Sequence, residues 1–188
     1  MAVKKNRAVY QFKVTLRNIH PPIWRRIQVW EDTTLAQLHR VLQVAMGWEN
    51  YHLHEFRIGR KIYAVPDLDD EREITDVKRT RIHDVIQQVG TEFEYVYDLG
   101  DYWEHDLLLE AILQPTPDTP YPRCIAGERS CPPEDVDGPG GYEKCLLSRI
   151  CGLTPVREVV PACDKGPFPS RCRYGIRTIF WSPLEFCC

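Results

Sequence analysis

Tyr10, Phe12, Val14 and Leu16 alternate with Gln11, Lys13, Thr15 and Arg17, the period-two pattern of a strand with one buried face. N-I-H-P-P then turns the chain, because each proline fixes its own φ and restricts the residue before it. I-W-R-R-I-Q-V-W (23–30) follows as a second strand, which pairs with the first as a hairpin. Leu35, Leu38, Leu42 and Ala45 recur at helical spacing behind the capping-box pair Thr34 and Gln37, and Gly47 closes the run. This predicts a helix over Leu35–Met46. Strand patterns return at Leu53–Ile58 and Lys61–Val65 around Gly59-Arg60, followed by D-L-D-D-E-R-E (67–73) as a solvated connection and a short helix near Ile82–Gln88. Glu92–Tyr97 and Tyr102–Ala111 form the clearest hairpin. Its loop, Asp98-Leu99-Gly100, suits an Asp that accepts backbone N–H groups and a Gly free to take positive φ.

Alternation also sorts the hairpin's side chains by face. Phe93, Tyr95 and Tyr97 share one side of the first strand, and Trp103, His105, Leu107 and Leu109 one side of the second. His105 therefore lies on the apolar side, while Glu104, Asp106 and Glu110 point the other way. The acids beside His105 in sequence are thus not its partners for acid–base chemistry, which needs hydrogen-bond reach.

The 188 residues are enough for one domain with a real core. A net charge of −3 supplies no global attraction to phosphate, so nucleic-acid contact would need a local basic patch. The N-terminal stretch lacks the apolar centre of a signal peptide, and no apolar run approaches membrane-spanning length. A cytoplasmic protein without membrane contact is the expectation, and its eight cysteines are then thiols or metal ligands rather than structural disulfides. Six of the eight lie from Cys145 onward, where the chain carries six Lys or Arg and three Asp or Glu, +3 against −6 for the rest. We therefore divide the chain into a domain over residues 1–146 and an atypical Cys- and Pro-rich tail over 147–188, arising either from a frame change or as an extension of this lineage.

Four strings carry a resemblance: P-P-I-W-R-R-I-Q-V (21–29), G-W-x3-H-L-H-E-F (47–56), Y-D-L-G-D-Y-W-E-H (97–105) and C-I-A-G-E-R-S-C-P-P-E-D-V-D-G-P-G-G-Y (124–142). Over roughly residues 8–146 the chain resembles the plasmid Ri Orf-three-like family, whose members accompany plasmids and transposons. The resemblance implies an α+β domain, a mixed sheet of hairpins with a packed helix in a β-grasp-like arrangement. It implies no activity: the resolvase label of some members has no serine-recombinase constellation to attach to here.

The candidate chemistry divides in two. Trp24, Arg26, Gln28 and Trp30 share a strand face and, with Arg25, form a basic–aromatic patch able to stack on bases and touch phosphate. The plainer alternative has Arg26 paired with the acidic loop 67–73. With Trp103 and the Glu134-Asp135 loop, which either braces a glycine-rich turn and caps a helix near Gly141 or closes over a cleft beside His105, this patch defines a non-enzymatic binding or accessory domain of mobile genetic elements, contacting protein or nucleic acid. The second reading is a zinc-dependent hydrolase, acting on phosphoesters. His52 and His54, two apart in a strand, would supply two ligands and His105 a third, with a position left for water. Cys124 and Cys131 with one histidine form a further candidate for structural zinc, although their spacing exceeds that of common zinc knuckles. For each of these residues the alternative is an ordinary buried or hydrogen-bonded group. Oligomeric state is not legible.

Overall fold

A computed structural model describes residues 7–67 and 70–148. The tail beyond Ser148, with its expected change of character, lies outside the described residues. Eight strands make one sheet: β1 (Val9–Leu16), β2 (Ile23–Trp30), β3 (His54–Ile58), β4 (Lys61–Ala64), β5 (Ile74–Asp76), β6 (Glu92–Tyr97), β7 (Trp103–Leu113) and β8 (Arg123–Glu128). Helices α1 (Leu35–Met46), α2 (Ile82–Val85) and α3 (Gly138–Ser148) complete the described architecture. The strand order is β5-β4-β3-β6-β7-β1-β2-β8, antiparallel throughout except for the parallel pair β4–β5. The α+β class and the mixed sheet follow the sequence expectation. The second hairpin, β3–β4, reaches the first only through β6 and β7.

The local rules that predicted the elements can be seen at work. Thr34 Oγ1 accepts from Gln37 N–H while Gln37 Oε1 accepts from Thr34 N–H, and Gly47 ends α1 in the left-handed region at φ +80°. Leu35, Leu38, Leu42 and Ala45 then meet Phe12, Val14, Ile27 and Phe93 in one core against the sheet. Two strands escaped the pattern: β5, of three residues, and β8, over which the sequence pattern predicted no strand.

The other sheet face is polar and internally neutralised. Arg17 reaches Glu94 and Asp106, and Glu55, almost wholly buried, is held by Arg57 and Arg72. Between Gln11 and Phe12 the β1–β7 register slips by one, leaving Glu110 as the extra residue of a bulge. Glu110 takes Arg26 in a two-pronged pair. Among the described residues Arg26 does not pair with the acidic loop 67–73, because its strand sits five positions away from β4 across the sheet.

Candidate functional site

The basic–aromatic patch is closed on itself. Trp24 Nε1–H donates to Glu128 at 3.2 Å, and the Arg26 guanidinium lies over the Trp24 ring while bound to Glu110. Trp30 is covered edge-on by Tyr121 and by Arg7. Arg25 points the opposite way, into the core, correcting its place in the patch: strand alternation gives it Ile23's face rather than Trp24's. There its Nε–H donates to the Ala45 carbonyl, one terminal nitrogen to the Trp24 and Glu128 carbonyls, and the other to Cys131 Sγ.

The three histidines take three different environments. His54 begins β3 and stacks on His39 of α1, with ring centroids 3.5 Å apart and planes 3° off parallel. His39 Nε2–H donates to Asn50 Oδ1 and Nδ1 accepts from the Tyr95 hydroxyl, which in turn accepts from Gln43. Burial depresses both rings, His39 to about 4 and His54 to about 3, so the stack is neutral. His105 is fully buried between Tyr95 and Trp48, its Nδ1–H donating to the Tyr95 carbonyl at 3.3 Å, and burial lowers it to about 4. His52 lies before β3 rather than in it, beside Asp98 and Asp135. Among the described residues these three imidazoles do not form a ligand set. For His52 the reason is local, since alternation holds only inside a strand and β3 starts at His54; for His105 it is the separate packing of β7 against Trp48 and Tyr95.

Cys124 and Cys131 are partly buried free thiols. Cys131 meets Arg25 and Met46 Sδ, and Cys124 turns to the Ala126 carbonyl. Burial raises both thiols, and among the described residues no histidine joins them in a ligand cluster. Trp103 is wholly buried beside Trp48, so it offers no surface for contact.

What the fold brings together instead is His52, Asp98 and Asp135, whose ligand atoms lie within 4.8 Å of one another. The β6–β7 turn positions Asp98: its Oδ1 accepts from the N–H groups of Gly100 and Asp101 at 2.9 and 3.2 Å, and the Asp98 N–H donates to the Leu53 carbonyl beside His52. The positive φ expected of Gly100 falls on Asp98 and Tyr102 instead, at +56° and +59°. Aspartate tolerates that region through its local hydrogen bonds. The loop before α3 is seated by Trp48 Nε1–H, which donates to the Pro132 carbonyl, and by Glu134. Glu134 accepts from the Tyr97 hydroxyl at 2.5 Å and from Glu49 N–H at 2.9 Å. Burial, then the adjacent Glu134 carboxylate, hold the Tyr97 phenol well above its usual range. α3 begins at Gly138, three residues earlier than expected, and a side chain there would strike the Asp101 carbonyl. Glu134 thus meets Glu49 and Tyr97, and Asp135 meets His52.

Three of the four strings that carried the resemblance, 47–56, 97–105 and 124–142, converge at this end of the molecule. The family pattern described as "Plasmid pRiA4b ORF-3-like protein" matches residues 8–149. The chain belongs to the plasmid pRiA4b ORF-3-like family. Within reach of this plasmid ORF-3-like chain stands "Uncharacterized protein y4hQ" of Sinorhizobium fredii, 39% identical over 138 residues, covering 73% of this chain and 71% of the relative. The crystal structure of a "Protein of Unknown Function MM3350" from Methanosarcina mazei Go1 superposes with a TM-score of 0.72 at 36% identity, covering 78% of this chain and 84% of that one. These relatives give the ORF-3-like fold a second, solved example and assign it no activity. No described helix is long and apolar enough to cross a membrane.

Proposed function

We propose that this ORF-3-like chain is a binding domain of plasmid-related elements, without catalysis of its own, and that it contacts a protein partner through the end where residues 51–53, 98–102 and 134–135 meet. One observation carries the reading. Tyr51 and Leu53, 72% and 69% exposed, together with Leu99 and Tyr102, surround a polar centre on two adjoining segments. Exposed apolar side chains gathered round a polar centre are what a recognition surface requires.

The charge at this end selects against nucleic acid. Segments 48–54, 97–103 and 131–142 hold Glu49, Asp98, Asp101, Glu134, Asp135 and Asp137 and no Lys or Arg, so a phosphate backbone is repelled there. On the sheet's outer face Arg26 is already neutralised by Glu110.

A photo-crosslinking side chain placed at position 53, against the same group at the exposed Ile112 near the other end of β7, tests the proposal in a host carrying the parent plasmid. A discrete protein adduct is expected at 53, competed by excess wild-type chain and not by a Tyr51→Ser, Leu53→Ser double variant. Equal labelling at 53 and 112 would overturn it. So would filter retention of plasmid DNA at about 0.15 M salt that Trp24→Ala and Arg26→Ala abolish, which would restore the strand face as a nucleic-acid surface.

A further inference from the structure

We propose that His52, Asp98 and Asp135 form an open site for one first-row divalent cation of the manganese or zinc type. The inference does not depend on a protein partner, although the site lies at the centre of the same surface.

The first ground is geometry. His52 Nε2 stands 3.0 Å from Asp135 Oδ1 and 3.5 Å from Asp98 Oδ2. A cation bound at roughly 2.0–2.2 Å sets its ligands ~3–3.5 Å apart, so the spacing is that of donors around a shared ion. The proximity is not explained by an ordinary hydrogen bond, because His52 Nε2 is shielded from solvent and makes none of acceptable direction despite the short approach. Three electron-rich atoms converge where a cation would neutralise them.

The second ground is how the acids are held. Asp98 is 7% exposed, and its Oδ1 is fully engaged by the turn's N–H groups. That fixes the side chain with Oδ2 turned toward the imidazole, as a ligand is fixed by the groups behind it. Neither Asp98 nor Asp135 meets a Lys or Arg among the described ion pairs, unlike Glu55, Glu94 and Glu110 on the sheet face. Keeping a buried carboxylate without a cationic side chain is costly unless a proton or metal ion compensates it.

The third is the donor set. One imidazole nitrogen and two carboxylate oxygens suit borderline Zn2+ and the harder Mn2+, which takes carboxylates readily, better than Ca2+, which takes oxygen donors alone. Asp135 is 70% exposed on its side chain, so three protein ligands leave the outer coordination positions open to water or to a group brought by a partner.

Mn2+ is the probe of choice, because free thiols such as Cys124 and Cys131 would compete for Zn2+ but have little affinity for manganese. Full-length protein stripped with chelator is titrated with MnCl2 and followed by electron paramagnetic resonance. The expected result is saturable binding of about one ion per chain, with nitrogen modulation from a coordinated imidazole in the pulsed spectrum. His52→Gln and Asp135→Asn are each expected to weaken binding at least ~10-fold, and Asp70→Asn, outside the cluster, to leave it unchanged. Absence of saturable binding, or saturable binding without the nitrogen signal, would overturn the proposal, and neither result depends on whether a variant folds. Because the titration uses the isolated chain, its failure leaves the crosslinking result standing, and the reverse holds too.

Discussion

Tyr97 does more at its hydroxyl than its ring alone would require. The ring stacks on Trp48 at 5.0 Å, while the hydroxyl donates to Glu134 and accepts from Tyr51 N–H, tying the loop before α3 and the segment before β3 to the end of β6. Tyr97→Phe keeps the ring and removes both bonds. Because Glu134 would lose a partner at a partly buried position, the expected cost is about 1–3 kcal/mol, read as a lower urea midpoint at unchanged m-value. A midpoint within error of wild type would mean that water replaces the hydroxyl without loss. Sequence reasoning placed Tyr97 on the apolar face correctly and gave its hydroxyl no role, because alternation reports the side a residue faces and not what its tip meets. Asp98 fared similarly. Its capping of the turn was legible from Asp-Leu-Gly, and its second oxygen's neighbour was not.

At the scale of elements, the His39–His54 stack joins α1 to β3 through two rings that burial keeps neutral. His105, in β7, is held neutral in the same way. Folded values near 3 to 4 lie below the ordinary 6.5, so between about pH 6.5 and 4 the unfolded chain binds protons that the folded chain does not. Stability is unaffected above 6.5 and falls as pH drops through that window, by up to about 1.4 kcal/mol per pH unit for each histidine. In chemical unfolding at stepped pH, His54→Phe is expected to lessen the loss between pH 6 and 4.5 relative to wild type, since one differential proton site disappears. An unchanged slope would show that His54 takes up its proton while folded. The elements themselves were largely readable: α1 with its caps, the three hairpins and the short α2 all sit within a few residues of their expected places. β5 and β8 were not, because a three-residue strand has too little length for a period and β8 is interrupted by a register shift against β2.

For the whole molecule, Arg25 shows how the pieces are locked together. From the centre of β2 one buried guanidinium reaches the end of α1, the edge strand β8 and Cys131 at the root of the site loop. Arg25→Met retains the apolar stem and leaves the Ala45 and Glu128 carbonyls without this donor, so a loss of about 2–4 kcal/mol in thermal or urea unfolding is expected. Increased protease cutting within 129–137 in the folded variant would report the freed loop. A stability equal to wild type would show instead that methionine packing compensates, as can happen when a buried charge is replaced. Local order was determined by the sequence alone. Hydrophobic period, capping residues and turn residues act between neighbours a few positions apart, which is enough to make strands, a capped helix and an inward-facing His105. Long-range pairing belonged to the tertiary structure. It separated His52 from His54 and His105, turned Arg25 inward, neutralised Arg26 with Glu110, and carried Asp135 across the fold to His52 and Asp98. Those partners are tens of residues apart in the chain, so no local period encodes their meeting. It is decided by the order in which eight strands pair and by the loops that the order brings to one end.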